Sequence, residues 1–212
     1  PLPRGTVMRS VKASDNGKIY AGGFNEFGYF EPDQTGTLVF HALEVLVPEY
    51  QRDFGEVWKI HSLPQGMVFQ SYEQLMIFDG ENIEIIPAPE IFHFSYIVRG
   101  ELYVVDQANG LYRLANDRLI KVPGTGQLNG TLIWGMLPKG DQMLIATASK
   151  GIFEFNGLRL KEWTNNASEV LNRNHSGRDR HQRHSRKHPA AYQPRPRAAE
   201  QYRAQPEKRP LC

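Results

Sequence analysis

Four carboxylates, Glu26, Glu31, Glu73 and Asp106, are of the type that cleaves glycosidic bonds. That reaction needs two carboxyl groups at a defined separation. The sequence supplies no separation, and acidic residues near hairpin turns are usually solvated. Ser-His-Asp chemistry lacks a nucleophile elbow, and no glycine-rich phosphate loop is present. His41 lies near an outer strand, with His61 and His93 near the starts of repeats, so all three read as structural histidines. His181, His184 and His188 could face one way on a helix and hold a metal, but Pro189, Pro194 and Pro196 work against that helix. The lone Cys212 permits no internal disulfide. The chain therefore reads as a non-enzyme, with no catalytic residues, no metal and no cofactor.

Binding chemistry is better represented. Phe24, Tyr72, Asn25, Gln107, Asn109, Glu26, Glu73 and Lys150 combine aromatic faces for stacking with amide and charged groups for hydroxyls. That mixture suits an oligosaccharide. Trp58 and Trp134 could be further stacking platforms, but their matching places inside inner strands favour packing between repeats.

What would gather these residues is a repeat. Gly151-Ile152-Phe153-Glu154-Phe155 alternates at the period of a strand and runs into Asn156-Gly157, the strongest two-residue signal for a type I′ hairpin. Gly110–Leu114 runs likewise into Asn116-Asp117, Gln74–Phe78 into Asp79-Gly80, and Gly28–Glu31 into Pro32-Asp33. In chain order these stretches begin 46, 36 and 41 residues apart, the spacing of four-stranded propeller blades. Strand-like segments on either side complete four blades, at about residues 6–47, 55–89, 92–123 and 130–164. The expected fold class is all-β, a β-propeller of about four blades of four antiparallel strands each. Thr6–Val11 is the candidate first inner strand, and residues 43–54 form a helical turn or a loop. In such a fold the connections between second and third strands gather on one face. Here they are Gly23–Phe27, Ser71–Gln74, Asp106–Asn109 and Ala148–Lys150, which carry the eight binding candidates.

Charge divides the chain. Residues 172–212 hold eleven Lys and Arg against three Asp and Glu, whereas the whole chain is only +2. The preceding 171 residues are mildly acidic, and nothing in them calls for nucleic acid. The basic segment has no Val, Ile, Phe, Trp or Met and is expected to be disordered. It begins abruptly where a fifth blade would start and reads as a frame-shifted or foreign tail. The boundary of the propeller region is placed at residue 171. No apolar run is long enough to span a membrane. The start at Pro1, without methionine, reads as a fragment of something longer.

Ile19–Phe30, together with Val57-Trp58, Ile133-Trp134, Gly110-Leu111-Tyr112 and Gly151-Ile152-Phe153, resembles the propeller repeats of bacterial ligand-sensing regulators. Those repeats form the extracytoplasmic domains of hybrid two-component systems and of triple-tyrosine, helix-turn-helix regulators. The likeness covers residues 6–165. It departs from the pattern at Gln74, where glycine is usual, and in the third blade, which lacks the tryptophan. The resemblance implies a periplasmic sensor of polysaccharide breakdown products or similar nutrients, truncated from a propeller of more blades. It also allows a homodimer in the full-length regulator. No kinase, receiver or helix-turn-helix region is present, so this chain would be the sensing portion only. The other reading is a scaffold for protein interaction or dimerisation, which would show an exposed apolar patch, for instance within residues 43–54.

Overall fold

The computed structural model describes residues 2–164, so the basic tail, with His181, His184, His188 and Cys212, lies outside the described residues. Among the described residues sixteen strands form four antiparallel sheets, each a meander in chain order. Blade 1 contains β1 (Ser10–Ala13), β2 (Ile19–Gly22), β3 (Phe27–Pro32) and β4 (Leu38–Ala42). Blade 2 contains β5 (Lys59–Leu63), β6 (Gly66–Gln70), β7 (Gln74–Phe78) and β8 (Ile83–Pro87). Blade 3 contains β9 (Phe92–Val98), β10 (Glu101–Asp106), β11 (Gly110–Ala115) and β12 (Arg118–Lys121). Blade 4 contains β13 (Ile133–Lys139), β14 (Gln142–Thr147), β15 (Ile152–Phe155) and β16 (Leu160–Glu162). The fold is an all-β propeller arrangement of four blades.

Local chemistry differs from expectation in two places. Thr6 does not enter the first inner strand, because its hydroxyl donates to Glu26 Oε2 at 2.5 Å and its carbonyl accepts from the Leu2 amide. β1 therefore starts at Ser10. The Asn156-Gly157 turn is not the two-residue type: only Gly157 has positive φ, and Asn156 Oδ1 accepts from the amides of Leu158 and Arg159. The type I′ signature appears instead at Asn116-Asp117, with φ of 49° and 56° between paired Ala115 and Arg118.

Each blade has two faces, since side chains alternate along a strand. One, the trailing face, looks back to the preceding blade; the other, the leading face, looks on to the next. Three apolar cores result. Tyr20 and Phe27 of blade 1 meet Phe69 and Met76 of blade 2, Val68 and Leu75 of blade 2 meet Leu102 and Val104 of blade 3, and Tyr103 and Leu111 of blade 3 meet Ile145 and Phe153 of blade 4. Among the described residues no apolar cluster joins blade 4 to blade 1. The strand register aligns the blades column by column. On the trailing faces Met67, Leu102 and Met143 are equivalent and all buried, while their counterpart in blade 1, Ile19, is half-buried. On the leading faces Phe27, Leu75 and Leu111 are fully buried, while their counterpart Ile152 is half-buried.

The segment between blades 1 and 2 makes two short 3₁₀ turns, Glu44–Leu46 and Glu49–Gln51. It buries Leu43, Val47 and Phe54 in the first core and leaves Val45, Leu46 and Tyr50 exposed.

A polar network crosses the joint between blades 2 and 3. His61 Nε2 donates to Ser95 Oγ at 2.8 Å, because the Ser95 hydroxyl is committed to Gln70 Oε1 at 2.5 Å. Gln70 Nε2 then donates to the His93 carbonyl at 2.6 Å. Burial, reinforced by the positive charges of Lys59 and Lys12, lowers the His61 pKa to about 4, so the ring is neutral at pH 7.

The joints can be probed at two residues. Phe69 is fully buried, with its ring 4.6 Å from that of Phe27 across the first joint. Phe69→Ala should cost about 3–5 kcal/mol, read as a lowered urea midpoint. His61 gives a pH dependence. An unfolded chain takes up its proton near 6.5 and the folded one only near 4, so stability is full above about pH 6.5 and falls as pH drops towards 4. The loss from this group is of the order of 3 kcal/mol. Urea titrations from pH 7 to pH 4 should show it, and His61→Gln should flatten that part of the profile.

Candidate functional site

The inner strands open at equivalent places. Arg9 and Trp58 each donate a backbone N–H to the last residue of the neighbouring second strand, Gly22 and Gln70 respectively. In blades 3 and 4 the register slips at this point. His93 and Phe94 stand opposite one unpaired residue, and Trp134 is an extra residue between Ile133 and Gly135. Such bulges re-aim a side chain. The result is a row of rings and cations along one end of the four blades.

Neighbours in that row touch. The Arg9 guanidinium lies 5.5 Å from the Trp58 ring centre and is held by two hydrogen bonds to Glu56, of 2.9 and 3.0 Å. Tyr72 stacks on Trp58 with centroids 5.4 Å apart. Lys59 Nζ sits 4.7 Å from the Phe94 ring. His93 meets Trp134 edge to face at 5.1 Å, and Phe94 lies 6.1 Å from the same indole. Trp134 meets blade 3 through these two rings, as expected of a residue packed between blades, but it is 57% exposed and so only partly covered. Trp58 is half-buried, and its Nε1 is buried without a hydrogen-bond partner among the described residues, as is His93 Nδ1. Burial raises the Tyr72 pKa, with a further push from the Glu56 carboxylate.

The eight candidates divide by what their polar atoms already hold. Phe24 is 52% exposed and bridges by its backbone to Glu56, and Tyr72 also feels Glu56, so these two flank the Arg9–Trp58 pair. Asn25, at φ 50°, accepts from the Gly55 amide at 2.6 Å and donates to Asp53 at 3.0 Å. Glu26 is buried and accepts from the Arg4 amide and the Thr6 hydroxyl. Tyr72 and Glu73 offer their carbonyls to the amides of Phe92 and Ala88. Gln107 Nε2 donates to the Phe92 carbonyl at 3.3 Å. Asn109 donates its backbone and side-chain N–H to Asp106 Oδ1. Lys150 Nζ donates to the Gln127 carbonyl at 2.7 Å. These loops are tied to the connections between blades, and much of their polarity is spent there.

The carboxylates do not form a reacting pair. Asp106 is fully buried and accepts from the amides of Glu90, Ile91, Ala108 and Asn109. Glu31 lies by Lys18 and His41 on the outer strands. Ser95 beside His61 is buried and donates to Gln70, so it is no nucleophile. Among the described residues no three His, Cys, Asp or Glu are placed to hold a metal. Two shallow grooves, of about 250 and 260 Å³, lie between outer strands, one beside Tyr103 and Phe155 and one beside Ile77 and Asp117. Neither touches the inner row. No helix among the described residues is long and apolar enough to cross a membrane.

Sequence reasoning noticed Trp58 and Trp134 but not Arg9, Lys59 or Phe94. Phe94 is placed by a bulge, which leaves no mark in an alternating pattern, and Arg9 and Lys59 by the register of their strands.

No protein-family model matches the chain, and no curated protein does. Two solved structures with a similar fold are of virginiamycin B lyase from Staphylococcus aureus. The selenomethionine-substituted form is 16% identical, with a TM-score of 0.48, over 73% of this chain and 57% of the lyase. A catalytically inactive variant with quinupristin is 18% identical, with a TM-score of 0.47, over 79% and 60%. This chain thus spans less than two thirds of the length of either. The sequence reading that the chain is not an enzyme is corrected here, because the solved structures that share its fold are of an enzyme. The likeness is one of fold alone and assigns no activity.

Proposed function

We propose that this chain is a ligand-binding propeller segment that recognises an oligosaccharide through the aromatic row at the starts of its inner strands. The observation that carries the reading is Trp134: a large indole, more than half exposed, supported edge to face by His93 and Phe94 rather than buried in a joint. An aromatic face held rigid by its neighbours offers stacking area to a sugar ring at little entropic cost. The Trp58–Tyr72 stack repeats the device two blades away, and Phe24 adds a third exposed ring. Lys59, over the Phe94 ring, makes no ion pair among the described residues, leaving a cationic group in the row for ring hydroxyls or a sugar carboxylate. Of the eight loop candidates, Phe24 and Tyr72 join this row; Asn25, Glu73, Gln107, Asn109 and Lys150 lie in the loops at the same ends of the blades and are proposed only as flanking contacts, and Glu26, buried and committed to Arg4 and Thr6, supports the first loop from within.

The wider role proposed is that of the sensing portion of a bacterial, membrane-anchored signalling regulator, facing the periplasm. The support for that context is the sequence resemblance of residues 6–165 to the repeats of such regulators. No output region is visible in the sequence.

Trp134 also supplies the readout. Titration of the 212-residue chain with neutral and uronic-acid oligosaccharides of increasing length should quench or shift its tryptophan emission with one sugar class. Trp134→Ala should weaken that binding at least tenfold, about 1.4 kcal/mol, while leaving the melting temperature nearly unchanged. Equal affinity in the variant, or no response to any sugar, would remove the reading.

A further inference from the structure

Every joint among the described residues is made in one way: the leading face of a blade covers the trailing face of the next. Four blades in sequence have four leading and four trailing faces, and the three cores use three of each. The two that remain are of opposite kinds. Blade 1 keeps a trailing face that carries Val11, Ile19, Phe30 and Phe40, with Phe30 and Phe40 in ring contact at 4.9 Å and Val11 62% exposed. Blade 4 keeps a leading face that carries Leu137, Leu144 and Ile152, with Leu137 63% exposed.

Both open faces match buried ones column by column. Phe30 stands where Phe78, Leu114 and Phe155 are buried in the later blades. Leu144 stands where Tyr20, Val68 and Tyr103 are buried in the earlier ones. Blade 1's face is apolar in all four strands, while blade 4's mixes Leu137, Leu144 and Ile152 with Lys139, Gln142 and Glu154. Lys139 and Glu154 pair with each other across that face, as Arg113 and Glu101 do on the leading face of blade 3, which blade 4 covers.

We infer that these two faces bind each other between copies of this chain, leading face of one blade 4 on trailing face of another blade 1. The occupant is a second copy because the joint it would make is the one the chain already makes three times within itself. Contact between unlike faces is heterologous, so it closes when the rotation per blade allows it and otherwise propagates. Two copies joined at both ends would make a ring of eight blades with no open face.

The test uses the exposure of Val11 and Leu137, where a charge can be added without disturbing a core. Sedimentation of the 212-residue chain across the micromolar range should give a species of twice 24.2 kDa, or a larger one, rather than the monomer. Val11→Glu and Leu137→Glu should each be monomeric while keeping a cooperative melt by circular dichroism. Mixing the two variants should restore a dimer, because the mixture retains one intact face of each kind. A monomeric wild-type chain at all concentrations would overturn the inference. So would self-association of either single variant, which would mean that like faces pair, or an assembly that neither substitution weakens.

Discussion

The face-to-face joint between consecutive blades is the interaction on which the rest of this structure depends. A single four-stranded meander has apolar residues on both faces and cannot bury either alone. Phe27, Leu75 and Leu111 are fully buried only because the next blade covers them. Ile152, at the same point of the repeat but with nothing over it, is only half-buried. The difference lies in the covering blade rather than in the residue, since all four are large and apolar. At about 25 cal/mol per Å² of apolar area, covering such columns is the main favourable term for each blade.

Because the joints need the blades at a fixed offset, the connections between them are held by hydrogen bonds. This explains why so many polar loop residues are spent on structure. Asn25 ties the first blade's loop to Asp53 and Gly55, and Gly22 is buried so closely against Val57 that a Cβ there would fall 2.6 Å from its Cγ1. Asp106 gathers the amides of two segments at once. A carboxylate satisfied by several N–H groups is a structural post, whatever chemistry its type could perform. The stacking surface therefore falls not to the polar loop tips but to the inner-strand starts, where rings rather than hydrogen-bonding groups are left over.

Much of the fold was legible in the sequence because its signals are local. Alternating residues bounded by Asp79-Gly80 or Asn116-Asp117 specify a hairpin within a few residues, and four hairpin pairs at similar spacing specify blades. The candidate site was less legible, since it rests on geometry that alternation does not encode. One extra residue at Trp134 and one in the His93-Phe94 pair take those rings out of the strand's alternation, yet as letters they look like core tryptophan and core phenylalanine. Arg9 escaped notice because in the fold it is the counterpart of Trp58, a correspondence visible only through the register. The Asn156-Gly157 turn failed for a related reason: the Asn156 side chain accepted two amides itself, an Asx-type solution that competes with the type I′ backbone.

The row of rings and the open faces are linked by position. The row begins at Arg9 on the first blade and ends at Trp134 on the last, the two blades whose outward faces are uncovered. Within the chain each joint sets one inner-strand start against the next, Arg9 over Trp58 and His93 against Trp134. A joint between copies has the same offset and would set Trp134 of one beside Arg9 of the other. The guanidinium and indole would then be neighbours across the new joint, in the reverse order to Arg9 and Trp58, and a row that stops at each end would become continuous.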